Sequence, residues 1–281
     1  MSTTRSICRR EPATEPVRWE ESALIVVGHG SASCQAANTQ LRRQAAEIDE
    51  RSLFQETRAA ALQGCPGPAE ALAGLSAETA YLVPLFMSNG TFVRETVPLA
   101  FSRAGLMTKT TVRHLYLCPP VGLAEGLADL VEGRARRFAE GHGVAPDQAA
   151  LLLIGHGSAS DPASWQATEQ QAARLRTKCS FQQVRTAYID QQPGVGSALE
   201  GLAGPVLAMG LFAGGGRHAD HDLPWMLALK GKDHIHYLGA IGSDPGLGEL
   251  IIEQVAAFDR RFQTFESRPP IQKTVESESF R

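Results

Sequence analysis

The sequence predicts two α/β domains of the doubly wound type, each built on a four-stranded parallel sheet, and two observations lead to that prediction. The segment ALIVVGHGSAS at residues 23–33 returns as ALLLIGHGSAS at residues 150–160, with eight identities in eleven positions. Within each copy, short apolar runs alternate with longer stretches of helical period. The repeat indicates a duplicated domain, and the alternation is typical of parallel sheets with crossover helices.

A second pair of segments supports the same alignment. YLVPLFMSNGTFVRETVP at residues 81–98 aligns with PVLAMGLFAGGGRHADHDLP at residues 205–224 through the shared Leu-Phe pair and the closing proline. The duplication therefore covers most of each copy and not only the GHGSAS segment.

Four short apolar runs in each copy predict buried parallel strands. They lie at about residues 23–28, 57–62, 79–86 and 111–117 in the first copy, and at about 150–155, 183–189, 205–212 and 234–239 in the second. The longer segments carry apolar residues at steps of three and four, which predict core-facing helices. The two clearest seams are Leu123, Leu127, Val131, Ala135 and Phe138, and Leu247, Leu250, Ile251, Val255, Phe258 and Phe262. Asp161 and Pro162 are typical of a helix start, so the second GHGSAS segment is expected on a strand-to-helix turn.

A chain of 281 residues suits two domains of about 100 to 150 residues each. The repeat places the first domain at residues 23–145 and the second at 146–265. The polar stretches at residues 1–22 and 266–281 are predicted to be a flexible arm and a tail.

The composition excludes several classes of function. With 27 Lys and Arg against 30 Asp and Glu, the chain has no basic excess that would indicate a nucleic-acid partner. No apolar stretch is long enough for a membrane span or a signal peptide. The five cysteines are scattered without a CxxC pair, which argues against zinc ribbons and iron–sulfur clusters. We expect a cytoplasmic protein with reduced thiols, either monomeric or homodimeric.

The candidate site lies where the strands of the second copy end. Ligands of open parallel sheets bind beyond the carboxyl ends of the strands. His156 follows the first strand, Asp190 follows the second, and His218 lies in the glycine-rich loop after the third. Imidazole and carboxylate groups suit a divalent ion such as cobalt, iron, nickel or zinc. We therefore predict that these three side chains share one metal ion.

Other residues at the carboxyl ends of these strands, an edge that we call the rim of the copy, have two interpretations each. The N–H groups of Gly214, Gly215 and Gly216 either hold anionic groups of a ligand or belong to a plain flexible turn. His221 and Asp222 either take part directly or only begin the next helix. A lone histidine after a strand is more often structural, but here three polar side chains converge.

The first copy retains the segment but lacks the set of ligands. It keeps His29, whereas Phe92 aligns with His218 and Gln63 aligns with Asp190. A site that needs two imidazoles and an acid cannot be built from these side chains. We predict one active site per chain, in the second copy, and assign His29 to the scaffold or to a cleft wall.

These residues resemble the class II tetrapyrrole chelatases, above all the CbiX-type sirohydrochlorin cobaltochelatases and their ferrochelatase relatives. The resemblance rests on GHGS after the first strand, on the acid before a proline in DQQP at residues 190–193, and on LFAGGGRHADHDLP at residues 211–224. It covers about residues 23–265. It implies flavodoxin-like lobes with a cleft for the macrocycle between them, and metal insertion with neither ATP nor an organic cofactor.

The resemblance also implies roles for individual residues. His156 and His218 would be the paired histidines that bind the metal and accept protons, and Asp190 would stand where the family usually has Glu. The substrates would be Co²⁺ or Fe²⁺ and sirohydrochlorin or a related carboxylated tetrapyrrole. Arg217, Ser158 and the three loop glycines are candidates for binding that tetrapyrrole, and Arg185 is a weaker candidate that equally suits a surface arginine.

Two other classes of function are weighed against the chelatase. A non-catalytic carrier of tetrapyrrole or metal would keep the cleft and turn nothing over. An α/β hydrolase would need a GxSxG nucleophile elbow, and the sequence contains none.

Overall fold

The computed structural model describes residues 18–31, 35–228 and 234–264. The elements of the first copy are β1 (Ser22–Gly30), α1 (Gln35–Asp49), β2 (Glu56–Gln63), α2 (Pro68–Leu72), β3 (Thr79–Pro84), α3 (Val97–Met107), β4 (His114–Leu117) and α4 (Leu127–Gly141). Those of the second are β5 (Ala150–Gly155), α5 (Ala163–Lys178), β6 (Gln183–Tyr188), α6 (Val195–Ala198), β7 (Val206–Gly210), α7 (Leu223–Ala228), β8 (Ile235–Ala240) and α8 (Leu247–Thr264).

The two sheets have the same topology. All strand pairs are parallel, in the orders β2-β1-β3-β4 and β6-β5-β7-β8. The predicted duplicated α/β fold with two four-stranded parallel sheets is confirmed. The strands β1 and β5 are central and covered on both faces, which explains why their sequences are continuous apolar runs and do not alternate.

The helices form an outer and an inner layer around each sheet. The outer faces are covered by α2 and α3 in the first copy, and by α6 and α7 in the second, each with its own apolar cluster. The inner faces share one continuous core, which contains buried residues of both copies. The two halves are therefore joined by a common apolar core and not by a thin linker.

The last helix of each copy packs against the sheet of the other copy. On α8, Asp259 accepts hydrogen bonds from the Tyr81 hydroxyl of β3 at 2.8 Å and from the Trp19 indole at 2.7 Å. On α4, the Arg134 guanidinium donates to the carbonyls of Leu238 and Ala240 in β8. The last helices are thus exchanged between the copies. The helix α8 covers the sheet of the first copy, and α4 covers the sheet of the second.

The apolar faces predicted for α4 and α8 are buried. Each packs against the sheet of the other copy, which the sequence did not indicate. Their buried members in α4 and α8 are Leu127, Val131 and Ala135, and Leu247, Leu250, Ile251 and Val255. The side chain of Phe262 lies outside the described residues.

The ends of the chain differ in part from the prediction. Trp19–Glu21 form a 3₁₀ turn, and the Trp19 ring stacks on Phe54 at 5.3 Å, so residues 18–22 belong to the folded domain and not to an arm. The rest of the predicted arm and the tail lie outside the described residues. No helix in the described part of the chain is both long and apolar enough to cross a membrane.

The second GHGSAS segment lies on a strand-to-helix turn, as predicted. The helix α5 begins at Ala163, with Pro162 at the cap position. The Asp161 carboxylate accepts the Ala163 N–H at 3.1 Å. The proline is therefore one position earlier, relative to the helix, than the predicted first-turn position.

Candidate active site

The structure places the candidate residues of the second copy at one rim of its sheet. His156 directly follows β5, and Asp190 lies two residues after β6, which is the neighbour of β5 on one side. His218 lies in a π-helical turn, Arg217–Asp222, which follows β7 on the other side of β5. The sheet order alone thus brings three segments that are distant in sequence to one edge.

The two imidazoles of this rim are in contact. The ring centroids of His156 and His218 lie 5.0 Å apart, and the ring planes are almost perpendicular at 88°. Each side chain is 45% exposed, so a ligand can reach both rings.

Each imidazole has a carboxylate at its Nδ1 atom. Nδ1 of His218 lies 2.8 Å from Oδ2 of Asp222. Nδ1 of His156 lies 3.2 Å from Oδ2 of Asp190 and 3.0 Å from the carbonyl oxygen of Gly157. Because these oxygens are acceptors, Nδ1 carries the proton and the lone pair stays on Nε2. Both Nε2 atoms are then suited to bind a metal or to accept a proton.

The predicted set of three ligands around one ion is not assembled. In the described part of the chain, no three His, Cys, Asp or Glu side chains form a group that could hold a metal ion. Asp190 lies on the Nδ1 side of His156, 3.2 Å from that atom, and the hydrogen bond of Nδ1 is to the Gly157 carbonyl. The arrangement is two histidines in contact, each with a carboxylate near its Nδ1 atom.

Asp222 is the acid next to His218, and the sequence left open whether it takes part in the site directly. Asp222 follows His218 by four residues, a spacing that places two side chains on one face of a helical turn. Its carboxylate contacts His218, whereas His221 is 80% exposed and lies 3.5 Å from that carboxylate. The four-residue spacing could have indicated the contact between His218 and Asp222. It could not have indicated that the segment is helical.

A tyrosine that sequence reasoning missed fixes the turn that carries His218. The Tyr237 hydroxyl donates to the carbonyl of the buried Ala219 at 2.8 Å. Burial, together with the charge of Asp220, raises the pKa of Tyr237 to about 12, so the hydroxyl stays protonated and remains a donor. In the first copy Leu117 occupies the equivalent strand position.

The N–H groups of the glycine loop are partly engaged within the protein. The Gly215 N–H donates to Oε1 of Gln40 at 3.2 Å, and the Gly216 N–H donates to Oδ2 of Asp220 at 2.7 Å. A Cβ atom at Gly214 would lie 2.9 Å from Oε1 of Gln40, so a side chain there would require Gln40 to move. The loop is therefore held against α1 of the first copy. The Arg217 side chain lies outside the described residues.

Two further candidates for substrate binding have structural contacts. The Ser158 hydroxyl accepts the Asp161 N–H at 3.1 Å and so closes the turn after His156. The Arg185 guanidinium donates to the carbonyls of Ala198 and Glu200. Arg58 has the same role in the first copy, where it donates to the carbonyls of Ala71 and Ala73. In both copies this arginine thus supports the backbone around the end of a short outer helix, α6 or α2.

The first copy has the same rim with different side chains. Nδ1 of His29 lies 3.0 Å from the Gly30 carbonyl oxygen, as in the second copy. The ring of Phe92 lies 4.9 Å from that of His29, at 68°. Gln63 pairs with Gly30 at the end of β2, which is the position of the missing acid.

The rims of the two copies are adjacent. The Asp161 carboxylate accepts from the Thr91 N–H at 3.0 Å and from the Arg94 guanidinium at 3.1 Å. On the other side, the Gln40 amide donates to the Gly242 carbonyl at 2.6 Å. The Ala163 N–H has the largest part in lowering the pKa of Asp161, and Thr91 and Arg94 add to it. The carboxylate therefore stays charged where the two rims meet.

Comparison with known proteins matches both copies to one family. The family model CbiX matches residues 23–138 and residues 150–257. A protein of Halobacterium salinarum named "Probable sirohydrochlorin cobaltochelatase" is 24% identical over 266 residues, which are 83% of this chain and 90% of that protein.

Solved structures share the fold. A multi-domain protein of Deinococcus radiodurans, described as similar to chelatases with two additional domains, superposes with a TM-score of 0.71 at 22% identity over 84% of this chain. The chain spans 55% of the length of that protein. SirB of Bacillus subtilis with Fe³⁺ superposes with a TM-score of 0.69 at 18% identity, covering 86% of this chain and 97% of SirB. SirB of the subspecies spizizenii in complex with cobalt gives 0.65 at 17% identity over the same shares.

Proposed function

The chain belongs to the CbiX family, and from this premise we propose that it inserts Co²⁺ or Fe²⁺ into sirohydrochlorin or a related carboxylated tetrapyrrole without ATP. The reaction makes it a class II metal chelatase, a lyase. The observation that supports this most directly is the pair His156 and His218, whose rings are in contact and whose Nδ1 atoms both face acceptor oxygens.

The reaction needs the two tasks that such a pair can perform. Insertion of a divalent ion into a free-base tetrapyrrole releases two pyrrole N–H protons, so the site must present the ion and accept protons near neutral pH. Histidine has an unperturbed pKa near 6.5 and can do both at different moments. One imidazole Nε2 binds the incoming ion while the other accepts the first proton from the macrocycle, and the second proton passes to the metal-binding imidazole once the ion has moved into the ring.

The carboxylates act on the histidines and not on the macrocycle. Asp222 holds Nδ1 of His218 and the Gly157 carbonyl holds Nδ1 of His156, so that each ring keeps one orientation and one tautomer, while Asp190 places a carboxylate 3.2 Å from Nδ1 of His156. A negative charge behind an imidazole also stabilises the imidazolium that forms when the ring takes up a proton. The shorter Asp190, at the family's usual Glu position, is suited to this supporting role.

The relatives leave two metals to compare. The Halobacterium protein is named for cobalt, and SirB was solved with Fe³⁺ and with cobalt. Imidazole ligands suit both metals, because selectivity among divalent ions depends on geometry and supply more than on ligand type.

Metal insertion is tested by mixing the full chain with metal-free sirohydrochlorin and either Co²⁺ or Fe²⁺ under anaerobic conditions, and following the visible spectrum. We expect the metallated spectrum to form faster than in a protein-free control with at least one metal. Binding of the tetrapyrrole without faster insertion would contradict the proposal and favour the non-catalytic carrier.

A further inference from the structure

The first copy has kept the geometry of the ring pair while losing its second imidazole. The ring centroids of His29 and Phe92 lie 4.9 Å apart at 68°, against 5.0 Å and 88° for His156 and His218. Phe92 begins a π-helical turn, Phe92–Thr96, which corresponds to the turn that carries His218. A phenyl ring therefore occupies the place of a metal-binding ring, on an equivalent backbone.

This phenyl ring is unusually open to solvent for its type. Phe92 is 43% exposed. The ring of Phe86 stacks behind it at 6.1 Å, with only 21° between the planes. Phe86 and Phe92 thus form two nearly parallel rings, one supporting the other, and we call this pair the aromatic platform. An aromatic ring that is open to solvent beside a candidate site is available to stack on a flat ligand.

The platform lies next to the site of the second copy. Thr91, the residue before Phe92, donates its N–H to Asp161, and Asp161 closes the turn that begins with His156. Arg94, two residues after Phe92, contacts the same carboxylate. The platform and the histidine pair therefore border the junction where the two rims meet.

We propose that the aromatic platform of the first copy binds one face of the tetrapyrrole macrocycle by stacking, while the histidine pair of the second copy acts on the nitrogen centre. The inference rests on the proposed function. A flat conjugated ring matches a flat aromatic surface through dispersion and offset stacking, and a phenyl ring can neither bind the metal nor pair with peripheral carboxylates. The two copies thus divide the work: the first holds the macrocycle and the second performs the chemistry.

The proposal is tested by titrating the full chain with metal-free sirohydrochlorin and measuring the quenching of the tetrapyrrole's fluorescence. Phe92→Ala should weaken binding about two- to tenfold, the effect of losing one aromatic contact. Phe92→Trp should restore wild-type affinity, whereas Phe92→Leu, which keeps apolar volume without a flat face, should not. Steady-state insertion should show a raised KM and an unchanged kcat for Phe92→Ala.

Two controls separate stacking from general damage. Leu99→Ala removes an apolar side chain that is 50% exposed on α3 and should leave both affinity and KM unchanged. Binding of Co²⁺ to the protein without tetrapyrrole should be equal in wild type and Phe92→Ala.

The outcomes also separate this proposal from the proposed function. If wild type binds and metallates sirohydrochlorin and Phe92→Ala has the same Kd and KM, the platform is refuted and the chelatase stands. Equal losses for Phe92→Leu and Phe92→Trp refute stacking as well. A wild-type protein that neither binds nor metallates the tetrapyrrole refutes both.

Discussion

The two copies of this chain have one backbone plan and two different sets of side chains at the rim. In both, a histidine at the carboxyl end of the central strand bonds through Nδ1 to the next carbonyl, and a π-helical turn places a second ring against it. Only the second copy adds the imidazole of His218 and the acids Asp190 and Asp222. The backbone therefore determines where the rings lie, and the side chains determine which chemical groups the rings present.

The support behind the rings differs as well. The Tyr237 hydroxyl holds the π-helical turn of the second copy, and the first copy has Leu117 at that position. Tyr188, at the end of β6, donates to Glu169 at 3.1 Å, and its first-copy equivalent is Ala61. Burial raises the pKa of Tyr188 to about 12, so this hydroxyl also stays protonated. The second copy thus has two tyrosine contacts behind its rim, at positions where the first copy has Leu117 and Ala61.

The largest expected effect comes from removing either imidazole of the second copy. His156→Ala and His218→Ala should each lower kcat for metal insertion by about a hundredfold or more, because each ring is a ligand or proton acceptor that water does not replace. The measurement is the rate of sirohydrochlorin consumption at saturating metal and saturating tetrapyrrole.

The matched variant in the first copy is His29→Ala. It should keep kcat, because Phe92 opposite His29 offers no second nitrogen ligand. Equal kcat losses for His29→Ala and His156→Ala would show that the chemistry uses both copies, and full activity of the His156 and His218 variants would remove these residues from the mechanism.

A smaller effect is expected from neutralising the supporting acids. Asp222→Asn and Asp190→Asn should each lower the rate about ten- to hundredfold, the usual cost of losing a carboxylate behind a metal-binding histidine. We expect the larger loss for Asp222, because His218 Nδ1 has the shorter contact, 2.8 Å, and His156 Nδ1 keeps the Gly157 carbonyl as a second acceptor.

The control for the acids is Gln63→Asn, the equivalent change at the first-copy position of Asp190. It should leave the rate at saturating substrates unaltered. Loss of activity in this variant equal to that of Asp190→Asn would mean that the position acts through the fold and not through charge.

A gain of metal binding should follow from giving the first copy the side chains of the second. The double variant Phe92→His with Gln63→Asp places an imidazole and an acid around His29 on the retained backbone. Calorimetric titration with Co²⁺ should then give about two equivalents per chain, where the wild type gives about one. An unchanged stoichiometry would show that the Tyr237 contact or another feature of the second copy is also required.

The smallest effect concerns stability at the junction of the rims. The N–H of Ala163, then Thr91 and Arg94, lower the pKa of Asp161 below its usual value of about 3.9. The stabilisation by its charged form is therefore present above about pH 4 and is lost as the pH falls through the lowered pKa. Asp161→Asn should therefore lower the melting temperature at pH 7 by a few degrees at most, and the difference should shrink below about pH 4.

The control for this variant is Glu78→Gln, which breaks an ion pair with Arg113 whose side chains are both more than half exposed. It should have almost no effect on melting at either pH. A difference in melting temperature between Asp161→Asn and the wild type that stays constant from pH 7 to pH 3 would contradict the role of the charge of Asp161.

The sequence alone determined the sheets and the rim. The strands lie within three residues of their predicted bounds, because buried parallel strands are continuous apolar runs with sharp ends. The contact of His156 with His218 followed from sheet topology, since side chains after neighbouring parallel strands meet at one edge. The repeat also predicted correctly that Phe92 lies where the second copy has His218.

Only the tertiary structure decided which surfaces meet. The periodicity of α4 and α8 indicates that one face is buried, but it carries no information on what buries it, and the two helices cover each other's sheets. The role of Asp222 depends on a π-helical turn, and the engagement of the glycine loop depends on Gln40, 175 residues away from Gly215. Such contacts are set by packing between distant segments, whereas sequence patterns report only the burial and local geometry of each segment by itself.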